Sequence, residues 1–335
     1  MNQSDIRKDL LDLGGGLFAY VQHDGSWGWS NSGLIAAGGQ SLIVDTLFTL
    51  GLTQEMLTAY RDACPAARDV GVLVNTHANG DHTFGNQLVG GARIIASDAC
   101  LEEMNERPAS VFRETMARWR EAGEAGKFLH EVMGAQFDFS GIEHTPPTET
   151  FREALTVPLG DLAVELIEVG PAHTRGDILV HVPARRTVFT GDIVFNQGHP
   201  IIWAGPIGNW IAACDRIVAL APDVVVPGHG PVTDLAAVRA LRDYFAFVDA
   251  EARKRHAAGM PWAEAAWDIA FDAWDSWLDR ERVVANVAAV YRELTGGAVA
   301  GDRMEILGLM RRYRAGASTP QDAAGCGCGD PAHRH

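Results

Sequence analysis

The chain has 335 residues, of which 47% are hydrophobic and 21% charged, and it carries a formal charge of -15. That charge argues against a nucleic-acid partner, because gripping a phosphate backbone needs a cationic face that releases counterions. No apolar run approaches the roughly 20 residues of a membrane span, so the expectation is a soluble enzyme acting on a small molecule.

The opening polar stretch, residues 2–12, has no basic region followed by an apolar core and so does not read as a secretory signal. Cys64, Cys100, Cys214, Cys326 and Cys328 are odd in number and lack framework spacing, which suits a reducing compartment and predicts a cytoplasmic location. Residues 16–21, 33–37 and 41–44 alternate as strands of an antiparallel meander that ends at Asp45. Between the first two lies a Gly-rich loop carrying Trp27 and Trp29, read as a lid or pocket wall over the site or else as cover for a sheet edge.

An amphipathic helix is predicted over residues 53–64, opening at Thr53, and a buried strand over 71–74. The loop leaving that strand, Asn75-Thr76-His77-Ala78-Asn79-Gly80-Asp81-His82, carries four metal-competent side chains in six residues. His77, Asn79 and Asp81 alternate towards one side, and Gly80 permits the tight turn that brings His82 to join them. A second helix is predicted over 97–105 with Ser97 as its N-cap. Residues 109–130 read as one charged helix that, with the stretch up to 150, forms an insertion; Met133, Phe137 and Phe139 are candidates for an apolar lining.

Three further candidates each follow an apolar run of strand character. These are His173 after residues 162–169, Asp192 after 187–190, and His229 after 224–226. Imidazoles and carboxylates together suit zinc, iron or manganese, and a shared aspartate can bridge two ions. The loop after Asp192 is mostly apolar and carries His199, a candidate for assisting protonation, and Trp203, a candidate pocket wall. Residues 209–220 read as a crossover helix. Helices follow over 235–256, 281–294 and 303–313, with Trp262, Trp267, Trp274 and Trp277 between them. The division expected is a catalytic unit over 1–233, a helical layer over 234–314 that offers a homodimer contact, and a flexible tail over 315–335 whose Cys326, Cys328, His333 and His335 could bind metal loosely.

In order and context these motifs resemble the signature of the metallo-β-lactamase superfamily, His-x-His-x-Asp-His followed by a His, a Gly-Asp and a Gly-His, over roughly residues 15 to 235. The resemblance implies a four-layer αββα sandwich with metal at the sheet edge. It assigns His77 and His173 to a first metal, Asp81, His82 and His229 to a second, and Asp192 as the bridge, with Asp45 hydrogen-bonded to a ligand. One or two Zn2+ ions are implied, with Fe or Mn as alternatives. Asn79 departs from the signature, which has His at that position; a carboxamide oxygen is a weaker ligand than imidazole.

The chemistry implied is hydrolysis of an ester, thioester or lactone, since coordination lowers the pKa of water towards neutrality while Asp81 positions the nucleophile. The opening through Asp24-Gly25-Ser26-Trp27 also resembles actinomycete polyketide cyclases and thioesterases of the same type. That makes aldol cyclisation of a polyketone a second reading. An iron-dependent oxygenase of the same fold is a third, and a binding protein with a crippled site a fourth.

Overall fold

A computed structural model describes residues 6–298 and 301–317. Two sheets form its centre. The first has seven strands in sequential order, β1 (Lys8–Gly14), β2 (Leu17–Gln22), β3 (Ser32–Ala37), β4 (Gln40–Val44), β5 (Val72–Val74), β6 (Arg93–Ser97) and β7 (Glu149–Phe151). It is antiparallel from β1 to β4 and parallel from β4 to β7. The opening residues are therefore partly a strand: β1 pairs with β2 where the sequence alone reads as a polar lead-in. The second sheet runs β12 (Val224–Val226), β11 (Thr187–Phe189), β10 (Ile178–Val182), β9 (Leu162–Glu168) and β8 (Ala154–Leu159), with only β11 and β12 parallel.

Period-two alternation sends successive side chains to opposite faces of each strand. In β4 and β5, Leu42, Val44, Val72 and Val74 enter the core between the sheets, where they meet Ile178, Val180, Phe189 and Val226 of the other sheet. Ile43 and Leu73 point the other way, under α1 (Leu50–Ala63) with its Leu52, Met56 and Tyr60. In the second sheet, Leu179, Val188 and Val225 face outward onto α6 (Ile207–Leu220), which buries Ile207, Trp210 and Ile217 there. The result is helix, sheet, sheet, helix, as the αββα expectation requires.

The remaining helices are α2 (Gly80–Thr83), α3 (Asp98–Glu106), α4 (Ala109–Ala117), α5 (Gly123–Leu129), α7 (Leu235–Ala257), α8 (Trp262–Asp268), α9 (Val283–Leu294) and α10 (Arg303–Arg314). Those after residue 234 share one apolar core with α6 and with Phe128 of α5. Two expected helices change. α1 starts three residues early because Thr49, not Thr53, is the cap, its hydroxyl accepting from the Leu52 amide at 3.2 Å. The single helix over 109–130 breaks after Ala117, where Arg118 leaves helical geometry at φ -103°, ψ 19°; a short turn over Trp119–Ala122 follows, and Gly123, at φ +59°, redirects the chain into α5. No helix of the described residues is long and apolar enough to cross a membrane. The tail residues Cys326, Cys328, His333 and His335 lie outside the described residues.

Candidate metal centre

The carboxyl ends of β5, β11 and β12, with the loop after β9, deliver the candidate side chains to one buried point. His77 lies in the loop after β5, and the short α2 turns the chain so that His82 joins it, with ring centroids 4.3 Å apart. Asp192 sits between two pairs of imidazoles. Its Oδ2 is 3.8 Å from His77 Nε2 and 3.3 Å from His173 Nε2, and its Oδ1 is 3.1 Å from His82 Nε2 and 3.5 Å from His229 Nε2. Asp81 completes the second pair, its Oδ2 3.4 Å from His229 Nε2. All four imidazoles and Asp192 are buried.

The glycines beside these ligands are there for room. A Cβ on Gly228 would fall 2.1 Å from Asp192 Oδ1, and one on Gly191, at φ +48°, 2.3 Å from Thr76 Oγ1. Neither position tolerates a side chain without moving the cluster.

A hydrogen-bond chain fixes which ring nitrogens point inward. Asp45, at φ +61° just past β4, accepts from the Thr76 amide on Oδ1 at 2.7 Å and from the Thr76 hydroxyl on Oδ2 at 2.7 Å. With its proton given to Asp45, the Thr76 hydroxyl can only accept from His77 Nδ1, 3.0 Å away. Asp45 Oδ2 also accepts from His82 Nδ1 at 2.9 Å. His173 Nδ1 donates to the Ile201 carbonyl at 2.8 Å. In all three rings the Nδ1 proton is engaged outward, which leaves the Nε2 lone pair for the centre. Asp177 orders the His173 loop itself, accepting from the Ala172 and Thr174 amides and the Thr174 hydroxyl; burial pushes its carboxyl up to about 8 against the pull of those donors. It stands in the motif read from the sequence, four residues past His173, but only its burial shows this positioning role.

The electrostatics are those of a site built for cations. Burial and the neighbouring His82 hold His77 well below the ordinary imidazole range. Burial works the same way on His82 and His229, yet Asp192 and the second carboxylate beside each outweigh it: His82 is raised well above its usual value, with Asp45 assisting, and His229 to about 9, with Asp81 assisting. Protons on these rings neutralise the carboxylates, and a divalent ion competes for the same lone pairs. His77 Nε2, His82 Nε2 and Asp192 Oδ1 are buried with no hydrogen-bond partner among the described residues. The ligand atoms of His77, His82 and Asp192, and those of Asp81, His82 and His229, each lie within 4.8 Å of one another. Unpartnered buried lone pairs converging with carboxylate oxygens are the donor set a zinc, iron or manganese ion takes, so the residues fit one or two such ions.

Asn79 is placed differently from the expectation of a ligand. Its Nδ2 lies 2.8 Å from His173 Nε2. Because the His173 proton is on Nδ1, the amide must present its NH2 to that ring, so Asn79 donates onto the lone pair instead of offering an oxygen to the centre.

A cleft of about 420 Å³ opens on the cluster, its floor including Asn79, Asp81, His173, Asp192 and His229. Trp27 and Trp203 line it; Trp29 does not. The turn from Ser26 to Trp29, with Gly28 at φ +77°, sends the two indoles apart. Trp29 is 1% exposed and packs on Phe137 at 4.7 Å, a core residue and not a pocket wall. Trp27 is anchored rather than mobile, donating to Glu281 Oε1 at 2.9 Å and stacked under the Arg282 guanidinium at 4.4 Å. Met133 lines the cleft, whereas Phe137 and Phe139 pack into the core beneath α1. His199 is fully buried, its Nδ1 3.1 Å from the Tyr244 hydroxyl, and burial lowers it to about 3, which removes it from proton transfer in the cleft.

The sequence reading passed over Arg107 at the end of α3, Phe112 and Met116 of the insertion, and Arg282, Arg303 and Leu307 of the helical layer, all of which line the cleft. Their spacing is that of ordinary amphipathic helices, and no local signal marks them.

The family model for the metallo-beta-lactamase superfamily matches residues 25–229. The chain is 26% identical over 226 residues to an acyl-coenzyme A thioesterase of Homo sapiens, spanning 60% of this chain and 72% of that protein. It is 24% identical over 233 residues to a linear primary-alkylsulfatase of Pseudomonas sp., spanning 62% of this chain and 43% of that one. Among solved structures, a sec-alkylsulfatase from Pseudomonas sp. superposes with a TM-score of 0.66 at 15% identity, covering 88% of this chain and 51% of that one. A metallo-beta-lactamase from Pontibacter korlensis superposes with a TM-score of 0.52 at 18% identity, covering 71% and 99%. At those identities the superpositions show the fold alone.

Proposed function

This chain belongs to the metallo-β-lactamase superfamily and is a hydrolase of that fold, and from that premise we propose that it cleaves an ester-type carbonyl, a thioester foremost, attached to a bulky apolar group. The observation that carries this reading is the opening of the histidine cluster directly into an apolar cleft of about 420 Å³, a size that suits a small-molecule ligand. The relative named as an acyl-coenzyme A thioesterase supports the thioester.

In this proposal His77, His173 and Asp192 would hold one ion, and Asp81, His82 and His229, with Asp192 shared, would hold the other, zinc in each case. A bound ion supplies Lewis acidity, polarising the carbonyl and lowering the pKa of water. The chain does the rest. Asp45 keeps the His82 and His77 lone pairs directed inward, the latter through Thr76. Asp81 orients the attacking water through its free carboxylate lone pairs. Phe48, Phe84, Phe112 and Met116 exclude bulk solvent and seat the apolar group, while Trp27 walls the side nearest Arg282.

The cyclase reading drew on a pair of loop tryptophans, and with Trp29 in the core it retains only Trp27. The test is metal content of protein purified without chelator, followed by a panel of thioesters, esters and lactones. Zinc-dependent turnover that favours long or aromatic acyl thioesters is expected. Iron with no turnover of the panel would move the assignment to an oxygenase, and an intact metal centre inert to every substrate would overturn the hydrolytic proposal. In the same panel, Trp27→Ala should raise KM for a bulky acyl substrate more than for an acetyl one, by the roughly 1 kcal/mol of one ring contact, with kcat little changed.

A further inference from the structure

The cleft wall is positive in a chain that is strongly negative. Among the residues lining it the only carboxylates are Asp81 and Asp192, both turned to imidazoles, while Arg107, Arg282 and Arg303 also line it. Against 43 acidic residues and 28 lysines and arginines in the whole chain, that local excess needs a cause.

The three arginines differ. Arg282 is buried and already compensated, its Nη2 2.9 Å from Asp279 and its Nη1 donating to the His199 carbonyl at 3.0 Å. Arg107 and Arg303 are exposed, and neither forms an ion pair among the described residues. Arg303 is held in place by an uncharged surface, its guanidinium 4.1 Å over the Trp203 ring. The Trp203 amide in turn donates to the His173 carbonyl at 3.1 Å, so Arg303 stands one indole out from the histidine cluster.

Arg107 lines the same cleft from the end of α3 and also borders Ala78 of the His77 loop. Beside the two arginines lie Val111 and Met304, 48% and 40% exposed, large apolar side chains that solvent alone does not explain. Arg311 ties α10, which carries Arg303, to α5 and the turn after it through Glu124 at 2.5 Å and Glu131 at 2.7 Å, so that wall of the cleft is braced against the insertion.

Exposed guanidiniums without an ion pair among the described residues, next to exposed apolar side chains on an apolar cleft, are complementary to an amphiphile. We propose that the mouth is an anion site in which Arg303 and Arg107 hold the carboxylate, phosphate or sulfate group of the substrate, separated by an apolar portion from the carbonyl that reaches the histidines. The placement of the carbonyl rests on the hydrolytic proposal; the anion site does not.

Binding without turnover separates the two. Titrating the metal-loaded protein with octyl phosphate and with 1-octanol, followed by tryptophan fluorescence, should show the phosphate binding at least tenfold tighter, with inorganic phosphate alone reporting any anion held by the histidine cluster. Arg303→Gln should cut that ratio to threefold or less, Arg303→Lys should preserve most of it, and adding Arg107→Gln should abolish it, all with unchanged circular dichroism. A wild-type ratio near one, or a ratio that survives the double variant, overturns the anion site. A ratio that behaves as expected in a protein that cleaves no carbonyl substrate sustains the anion site and removes the hydrolytic proposal. Thioesters bearing a carboxylate on the acyl terminus, compared with thioesters bearing it on the thiol, tell which half of the substrate carries the anion: the Arg303-dependent fall in KM appears with one and not the other, and its absence from both overturns the site for substrates.

Discussion

The two halves of the histidine cluster face each other across Asp192 and are made of nearly the same parts. Each has a pair of imidazoles turned to one carboxylate oxygen of Asp192, at 3.8 and 3.3 Å in one half and 3.1 and 3.5 Å in the other. They differ in the next residue. The half with His82 and His229 adds the carboxylate of Asp81, whereas the half with His77 and His173 adds the carboxamide of Asn79, whose nitrogen covers the His173 lone pair. One half therefore brings an extra negative charge to a cation, and the other must first give up a hydrogen bond. If each half takes an ion, the half with Asp81 is expected to hold it more tightly than the half with Asn79, and the difference lies in a single atom type.

The largest expected effect comes from removing what the halves share. Asp192→Asn should lower kcat/KM by at least about a thousandfold, the scale of losing a charged electrostatic partner, and should release metal from both halves on gel filtration. Metal retained at full stoichiometry would mean that Asp192 does not join them.

Next come the variants that break one half. Asp81→Ala and His229→Ala should each abolish metal-dependent turnover while circular dichroism stays native, because the strands beneath them do not depend on either side chain. Activity of both within threefold of the parent would sink the assignment of the stronger half.

Asp45→Asn acts on both halves at one remove, since Asp45 sets the tautomer of His82 directly and of His77 through Thr76. A loss of about 10- to 100-fold in metal affinity is expected by chelator competition, and Thr76→Val should confine the loss to the His77 half. Equal losses at both halves from Thr76→Val would contradict the hydrogen-bond chain.

The smallest change is the one that should erase the asymmetry. Asn79→His replaces an amide donor with an imidazole lone pair and should tighten the weaker half by about tenfold, or about 1.4 kcal/mol, in titration with a chromophoric chelator. If it binds no tighter, the loop after β5 does not present a ring to the centre.

The metal cluster was legible because its signals are local. Each candidate stands within a few residues of an apolar run, and Asp81, Asp192 and His229 also stand beside a glycine, of which those at 191 and 228 are required by contacts within the cluster. The continuous apolar runs of β4 and β5 likewise announced strands buried on both faces, whereas β10 was not read from the sequence. By contrast, Thr53 and Thr49 look alike as caps, and only the fold shows the Thr53 hydroxyl occupied by Leu47.

What the sequence determined by itself is the group of side chains, His77, Asp81, His82, His173, Asp192 and His229, that the fold brings together, since each stands in a local motif a few residues past an apolar run; the layered architecture and the class of chemistry were implied by the family those motifs resemble. What the tertiary structure decided is where long side chains go. Trp27 and Trp29 are two residues apart, yet one meets Glu281 and Arg282 from the far end of the chain while the other is packed against Phe137. Arg303 becomes part of the cleft only because α10 docks on α5. Such outcomes depend on partners more than a hundred residues away, and burial energy is settled by those partners, not by the residue's own neighbours in sequence.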